Sequence, residues 1–346
     1  MVSSDTTVAE DGVRRRVFTT AVSILLAVAL LYLSVRGVDW RAVWGIVRGA
    51  RWIYLAAGAL LTSLSFFLRA VRWRILLNAE ARLPMRTVFF ANMAGYLGNN
   101  YLPARAGELL RSYLISTCSS LSKTYVLTTA LGERMMDAIA LVLASSVVLI
   151  QLDTKPRWMD DVSRTMAIVS GLGAVAIVVI PHTGRLVESA LQKVPLPTLL
   201  RRRLLRLADQ ILLGLKAFHD WRRLAGFVAL TVLIWMMDVL SAMAGAHALE
   251  LKMTFTSALL LLASLGLSSA LPSTPGYVGI YQFVAVNILP AFGMSRDQAL
   301  AYILVMQASI YAVVTVLGLP ALYHFQSRTR RSAGARATQA ASQPPA

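Results

Sequence analysis

Residues 87–111 read TVFFANMAGYLGNNYLPARAGELLR. The first part is apolar, but Asn92, Gly95, Gly98, Asn99, Asn100 and Pro103 all weaken a helix that would have to face lipid. Three charged residues, Arg105, Glu108 and Arg111, follow at once. An interrupted apolar segment that ends on charges is not an ordinary membrane span. What it is depends on the spans around it.

Those spans are plain. Uninterrupted apolar blocks occupy 17–35, 52–68, 124–150, 166–180, 224–249 and 299–322, and a second broken segment occupies 254–290. A helix needs about 20 apolar residues to cross a hydrocarbon layer of roughly 30 Å. Hydrophobic residues make up 57% of the 346 and charged residues 15%, and the mean hydropathy is +0.61. No water-soluble core absorbs that much apolar surface. The expectation is an all-α, multi-pass protein of a cell membrane, bacterial or archaeal.

Charge sets the topology. The 34 Lys and Arg against 17 Asp and Glu lie mostly between and beside the spans, where they orient a membrane protein and attract anionic headgroups, so nucleic acid is set aside as a partner. Arg14, Arg15 and Arg16 precede a run without a small-x-small cleavage pattern, which reads as a retained first span behind a cytoplasmic tail, 1–16. Cys118 is the single cysteine and forms no internal disulfide. The positive-inside rule puts loop 69–86 in the cytoplasm, with Arg69, Arg72, Arg74, Arg82 and Arg86, and loop 182–223 as well. Arg36, Arg41, Arg48 and Arg51 fall on the wrong side. Because Trp40, Val43, Trp44 and Val47 recur at helical spacing, 39–49 reads as an interfacial helix whose arginines snorkel.

Segment 87–103 must then begin and end inside, which makes it a re-entrant hairpin. The second half repeats the plan in the opposite sense, with 224–249 going outward, 254–290 entering and leaving from outside, and 299–322 returning. The expectation is six complete crossings and two re-entrant helical hairpins within a polytopic domain at 17–323. Its inverted halves lie at about 52–150 and 224–322. The two broken regions superimpose at an offset of 169 residues, with Leu102 on Leu271, Pro103 on Pro272, Gly107 on Gly276, and Asn99 and Asn100 over Ser268 and Ser269. Paired Gly/Pro-interrupted segments in inverted halves point to a transporter's central site. Within 182–223, Leu200, Leu204, Leu207, Ile211, Leu212 and Leu215 oppose Arg201, Arg202, Arg203 and Arg206, as in an amphipathic helix lying on an anionic leaflet. The basic tail, 324–346, carries no apolar pattern and is expected to be disordered.

The chemistry clusters at the breaks. If the chain is helical from Ala106, Glu108 and Arg111 share a face, which leaves Arg105 free to meet a phosphate with its planar fork. Glu133 and Asp137, four apart inside an apolar run beside Arg134, need a basic partner, and Arg105 or Arg111 is the natural one. Read more plainly, the same residues make a snorkelling helix entry and a structural ion-pair network. The second break, Pro272-Ser273-Thr274-Pro275-Gly276-Tyr277-Val278-Gly279, supplies hydroxyls and tight turns without charge, followed by Gln282. Asn99, Asn100, Arg105, Glu108, Arg111, Glu133, Arg134, Asp137, Ser273, Thr274, Tyr277 and Gln282 are the candidate substrate-binding residues. Pro103, Gly107, Pro272, Pro275, Gly276 and Gly279 are the structural breaks.

The run 99–111, the pair Glu133-Arg134 with Asp137, and the Pro-x-x-Pro-Gly-x-x-Gly stretch from Pro272 resemble the flippase-like membrane domain of lysylphosphatidylglycerol synthases. The resemblance covers roughly 18–323. It implies lipid translocation, with aminoacylated phosphatidylglycerol or polyprenyl-linked glycolipids as substrate classes. No aminoacyl-transferase domain accompanies it in this sequence. His182, His219, His247 and His324 are scattered and no H-E-x-x-H or G-x-S-x-G motif occurs, so neither a metal nor a catalytic nucleophile is expected. No nucleotide motif occurs either, and no cofactor is expected. The alternatives are an intramembrane headgroup transferase acting through carboxylates, and a non-transporting membrane partner of a lipid-synthesis enzyme.

Overall fold

The structure, a computed structural model, describes residues 25–102, 106–150, 168, 171–172, 198–216, 220–269 and 275–341. Among these no strand occurs. The apolar run Leu25–Val35 forms α1, and Trp40–Arg48 forms α2 behind Asp39, whose carboxylate accepts from the N–H groups of Arg41 and Ala42. In α2 Val43 is buried while Trp40 and Trp44 are exposed, and the Arg48 guanidinium lies 5.2 Å from the Trp44 ring. That is the arrangement of an interfacial helix.

Helix α3, Trp52–Leu77, runs well past the expected end of its span. Arg69 and Arg72, assigned above to a cytoplasmic loop, are instead inside the helix, and Arg72 is fully buried. A second correction concerns the first broken segment. Met85–Tyr101 is one continuous helix, α4, and the chain turns only after Leu102, returning as α5, Ala106–Thr117. The hairpin therefore spans 85–117 rather than 87–103. Asn92, Gly95 and Gly98 do not break α4, because its glycines are where α5 packs. A Cβ on Gly98 would lie 2.9 Å from Gly107 Cα, and one on Gly95 would lie 3.0 Å from Arg111 Cβ.

Helix α6, Lys123–Ile150, carries Glu133, Arg134 and Asp137. The expected span 166–180 and loop 182–197 lie outside the described residues, apart from helical Ile168, Gly171 and Leu172. Helix α7, Thr198–Lys216, leans on α6 through Gly214, which approaches Thr128, and through a Ser122–Gln210 hydrogen bond. It leaves Leu207 and Ile211 exposed.

The second half is built from α8, Trp221–Ala248, and α9, Phe255–Ser268 with its Thr254/Ser257 capping box. A 3-10 turn, Pro275–Tyr277, is followed by α10, Ile280–Ile288. A second turn, Leu289–Phe292, leads to α11, Arg296–Ala341. The backbone of α11 stays helical to Ala341, into the tail expected to be disordered. Ala, Arg and Gln are strong helix formers even without an apolar face. Shifting α3, α4, α5 and α6 by 169 residues lands on 221–246, 254–270, 275–286 and 292–319. These ranges fall on α8, α9, the Pro275 turn with α10, and α11. Among the described residues, three helices are long and apolar enough to cross a membrane: Trp52–Leu77, Trp221–Ala248 and Arg296–Ser327.

Candidate functional site: a buried charge network beside the first hairpin

Four helices bring their charges to one place. Arg72 of α3 grips Asp137 with both terminal nitrogens, Nη1 to Oδ1 at 2.6 Å and Nη2 to Oδ2 at 2.9 Å. Its Nη2 also donates to Glu133 Oε1 at 2.9 Å and its Nη1 to Thr231 Oγ1 of α8 at 2.9 Å. Glu133 and Asp137 lie one turn apart on α6, a spacing that the guanidinium fork spans. Arg111 of α5 pairs with Glu108 at 2.5 Å and Glu133 at 3.2 Å, donates to Asn92 Oδ1 of α4 at 2.9 Å and stacks 4.5 Å from the Trp73 ring. Arg134 donates from Nε to Glu108 Oε1 at 3.0 Å and lies 3.9 Å from Asp137. Arg69 pairs with Asp238 of α8 and comes within 3.8 Å of Asp137.

Among the described residues this makes four guanidinium groups and four carboxylates, and their formal charges cancel. An unpaired ion in a low-dielectric interior costs several kcal/mol, so pairing of this completeness is the condition for burying the group at all. Exposure is uneven. The side chains of Arg72 and Arg111 are 0% and 2% exposed, whereas that of Arg134 is 33% exposed. Arg72 and Arg111 are sealed scaffold. Arg134 forms the rim, with Tyr96 beside it, 5.6 Å from its guanidinium to the ring.

The structure thus brings together Glu108, Arg111, Glu133, Arg134 and Asp137, and draws in Asn99, whose Nδ2 is 3.4 Å from Glu108. Asn100 makes no contact with the network, and its Nδ2 is without a partner among the described residues. Pro103, Arg105, Pro272, Ser273 and Thr274 lie outside the described residues. Tyr277 and Gln282 belong to a separate, neutral cluster. Gln282 is buried, accepts from Gly279 N–H at 2.7 Å and donates to Gln307 at 2.5 Å. The Gln307 amide Nε2 donates in turn to Gly276 O at 2.6 Å, and Tyr311 OH donates to the same oxygen at 2.7 Å. These bonds clamp the turn in which Gly276 and Gly279 take φ of 68° and 89°, a conformation natural to glycine. Tyr277 is half-buried and stacks on Tyr281 with ring centroids 4.9 Å apart. The Tyr311 ring lies 6.3 Å from that of Tyr101, so the C-terminal end of α4 and the Gly276 turn meet at α11.

Sequence reasoning missed Arg69, Arg72, Asn92 and Asp238 as members of the network. The available signal was the apolar pattern Ala70, Val71, Trp73, Ile75, Leu76, which continues a helix beyond Leu68 and places Arg69 and Arg72 on one face.

Against curated proteins, the chain is 24% identical to glycosyltransferase AglD of Haloferax volcanii, over 88% of this chain and 54% of that protein. It spans about half the length of the relative it matches. The family model for the lysylphosphatidylglycerol synthase transmembrane region matches residues 20–318, a range that holds both hairpins and every member of the charge network, and the chain belongs to that family.

Proposed function

We propose that this protein moves a phosphate-bearing lipid across the membrane: an anionic or aminoacylated phospholipid, or a polyprenyl-linked glycolipid. The observation that carries the reading is the charge-balanced network beside the 85–117 hairpin, with one guanidinium, Arg134, a third exposed. Buried ionisable groups of this density in an apolar protein mark a polar path, and irregular backbone beside them is tolerated where it lines a cavity. Arg134 meets the phosphate, and Arg105 in the hairpin link supplies a second cation. Arg72 and Arg111 hold the scaffold. The helices make six crossings and two re-entrant hairpins in inverted halves, which suits alternating access.

The test is translocation of fluorescent phosphatidylglycerol by reconstituted protein at matched folded levels. Loss of a charge-assisted hydrogen bond is worth about 1.5 to 3 kcal/mol, so Arg134→Ala and Arg105→Ala should each lower lipid affinity roughly tenfold or more. Arg105→Lys should recover part, because the charge stays and the fork is lost. Arg201→Ala should be unaffected. If both alanine variants keep the parent's rate, or Arg201→Ala is equally impaired, the assignment is wrong. The name of the relative favours one other reading, transfer of a lipid-linked headgroup. Headgroup transfer by the purified chain would establish it in place of transport.

A further inference from the structure

Glu108 sits where the sealed and exposed parts of the network join. One of its oxygens takes Arg134 Nε at 3.0 Å and the Asn99 amide at 3.4 Å, and the other takes Arg111 at 2.5 Å. Around it stand Tyr96 and Asn99 of α4, Arg111 of α5, and Glu133, Arg134 and Asp137 of α6. An anionic lipid phosphate reaching Arg134 from its exposed side meets a guanidinium whose Nε edge already holds a carboxylate. It also meets a network whose charges already cancel among the described residues. Adding a negative charge there in a low dielectric is unfavourable unless another leaves or is neutralised. Of the carboxylates on Arg134, Asp137 is tied to Arg72 and Arg69 as well, and its side chain is 8% exposed, against 14% for Glu108. At the offset of 169 the position of Glu108 corresponds to Tyr277, which is neutral, so the feature belongs to one half alone.

We propose that Glu108 is an internal competitor for the substrate: the phosphodiester of an anionic lipid displaces it from Arg134. This rests on the reading of Arg134 as the phosphate-facing cation. The displaced carboxylate stays with Arg111, and no covalent bond changes. The competition links headgroup binding to release of the rim contact between α5 and α6.

The experiment titrates fluorescent phosphatidylglycerol into the full chain in detergent, with fluorescent diacylglycerol as the uncharged control. At neutral pH Glu108→Gln, which keeps the shape and loses the charge, should bind phosphatidylglycerol about fivefold tighter or more than the parent, with its affinity for diacylglycerol unchanged. A folded Glu108→Gln of equal or weaker affinity for phosphatidylglycerol overturns the proposal, since a purely structural carboxylate predicts that weakening. If the Gln variant does not fold, Glu108→Asp decides: its shorter side chain reaches Arg134 less well, so phosphatidylglycerol should bind tighter than to the parent, and equal or weaker binding overturns the proposal. A parent that shows no preference for phosphatidylglycerol over diacylglycerol overturns instead the lipid reading on which it rests.

Discussion

Arg72 and Arg134 are the same residue type in the same network, and their surroundings give them opposite roles. Arg72 has no exposed surface and five hydrogen bonds to Glu133, Asp137 and Thr231, with the Phe227 ring 4.7 Å from its guanidinium. Removing it takes away the closest partner of Asp137 and one of the two guanidinium partners of Glu133, while both carboxylates stay buried. Breaking a buried pair by deleting one partner costs about 3–5 kcal/mol, so Arg72→Ala should unfold at much lower temperature or denaturant. Arg134 is one-third exposed, and its partners Glu108 and Asp137 each keep another guanidinium when it is removed, Arg111 and Arg72, so Arg134→Ala should cost clearly less than Arg72→Ala while impairing lipid binding. Thermal unfolding of both variants in detergent checks the contrast. Equal loss of stability would mean that the network is scaffold throughout.

At the level of the helix, the hairpin α4–α5 depends on absent side chains. A Cβ on Gly107 would collide with the carbonyl oxygen of Gly95 and come within 2.7 Å of the Asn99 nitrogen, all of it backbone that cannot swing aside. Gly107→Ala should therefore destabilise by about 1–3 kcal/mol or more and part α5 from α4. Gly45 in α2 is the control, because an added Cβ there meets nothing within 4 Å. Gly45→Ala should be neutral or stabilising by up to about 1 kcal/mol. These glycines also mark how far the sequence was legible. The helix from Ala106, taken as a condition, the shared face of Glu108 and Arg111 that follows from it, and the tight turn at Pro275 and Gly276 came from local chemistry, and the structure has them. The continuity of α4 did not. Gly and Asn lower intrinsic helix propensity, and nothing in 87–103 itself tells that α5 lies against Gly95 and Gly98. Arg69 and Arg72 were read as loop for a related reason. A charge count treats arginines at the end of an apolar run as solvated, and only the partners on α6 and α8, far along the chain, offset the cost of burying them.

At the scale of the whole molecule, the contacts between α3 and α8 repeat under exchange of the halves. Ser241 Oγ donates to Gly58 O at 2.9 Å and lies 2.9 Å from Thr62 Oγ1. Shifted by 169 and exchanged, these pairs become Arg72 with Phe227 and Arg72 with Thr231, both of which are in contact. Arg69 and Asp238 are themselves 169 apart, so their ion pair maps onto itself, as a contact on a two-fold axis must. An axis of this kind lying in the membrane plane puts equivalent loops on opposite sides, whereas a re-entrant hairpin returns its two ends to one side. Arg82, after α3, and Lys123, after α5, bracket the first hairpin, and Lys252 lies one residue beyond the position equivalent to Arg82; all three are exposed. In a Cys118→Ser background, single cysteines at 82 and 123 should react with a membrane-impermeant maleimide from one side of the membrane, and a cysteine at 252 from the other. Reaction of 82 and 123 from opposite sides would turn α4–α5 into a crossing. Reaction of all three from the same side would leave the repeat without its inversion, and alternating access about the Arg69–Asp238 pair would lose its geometric basis.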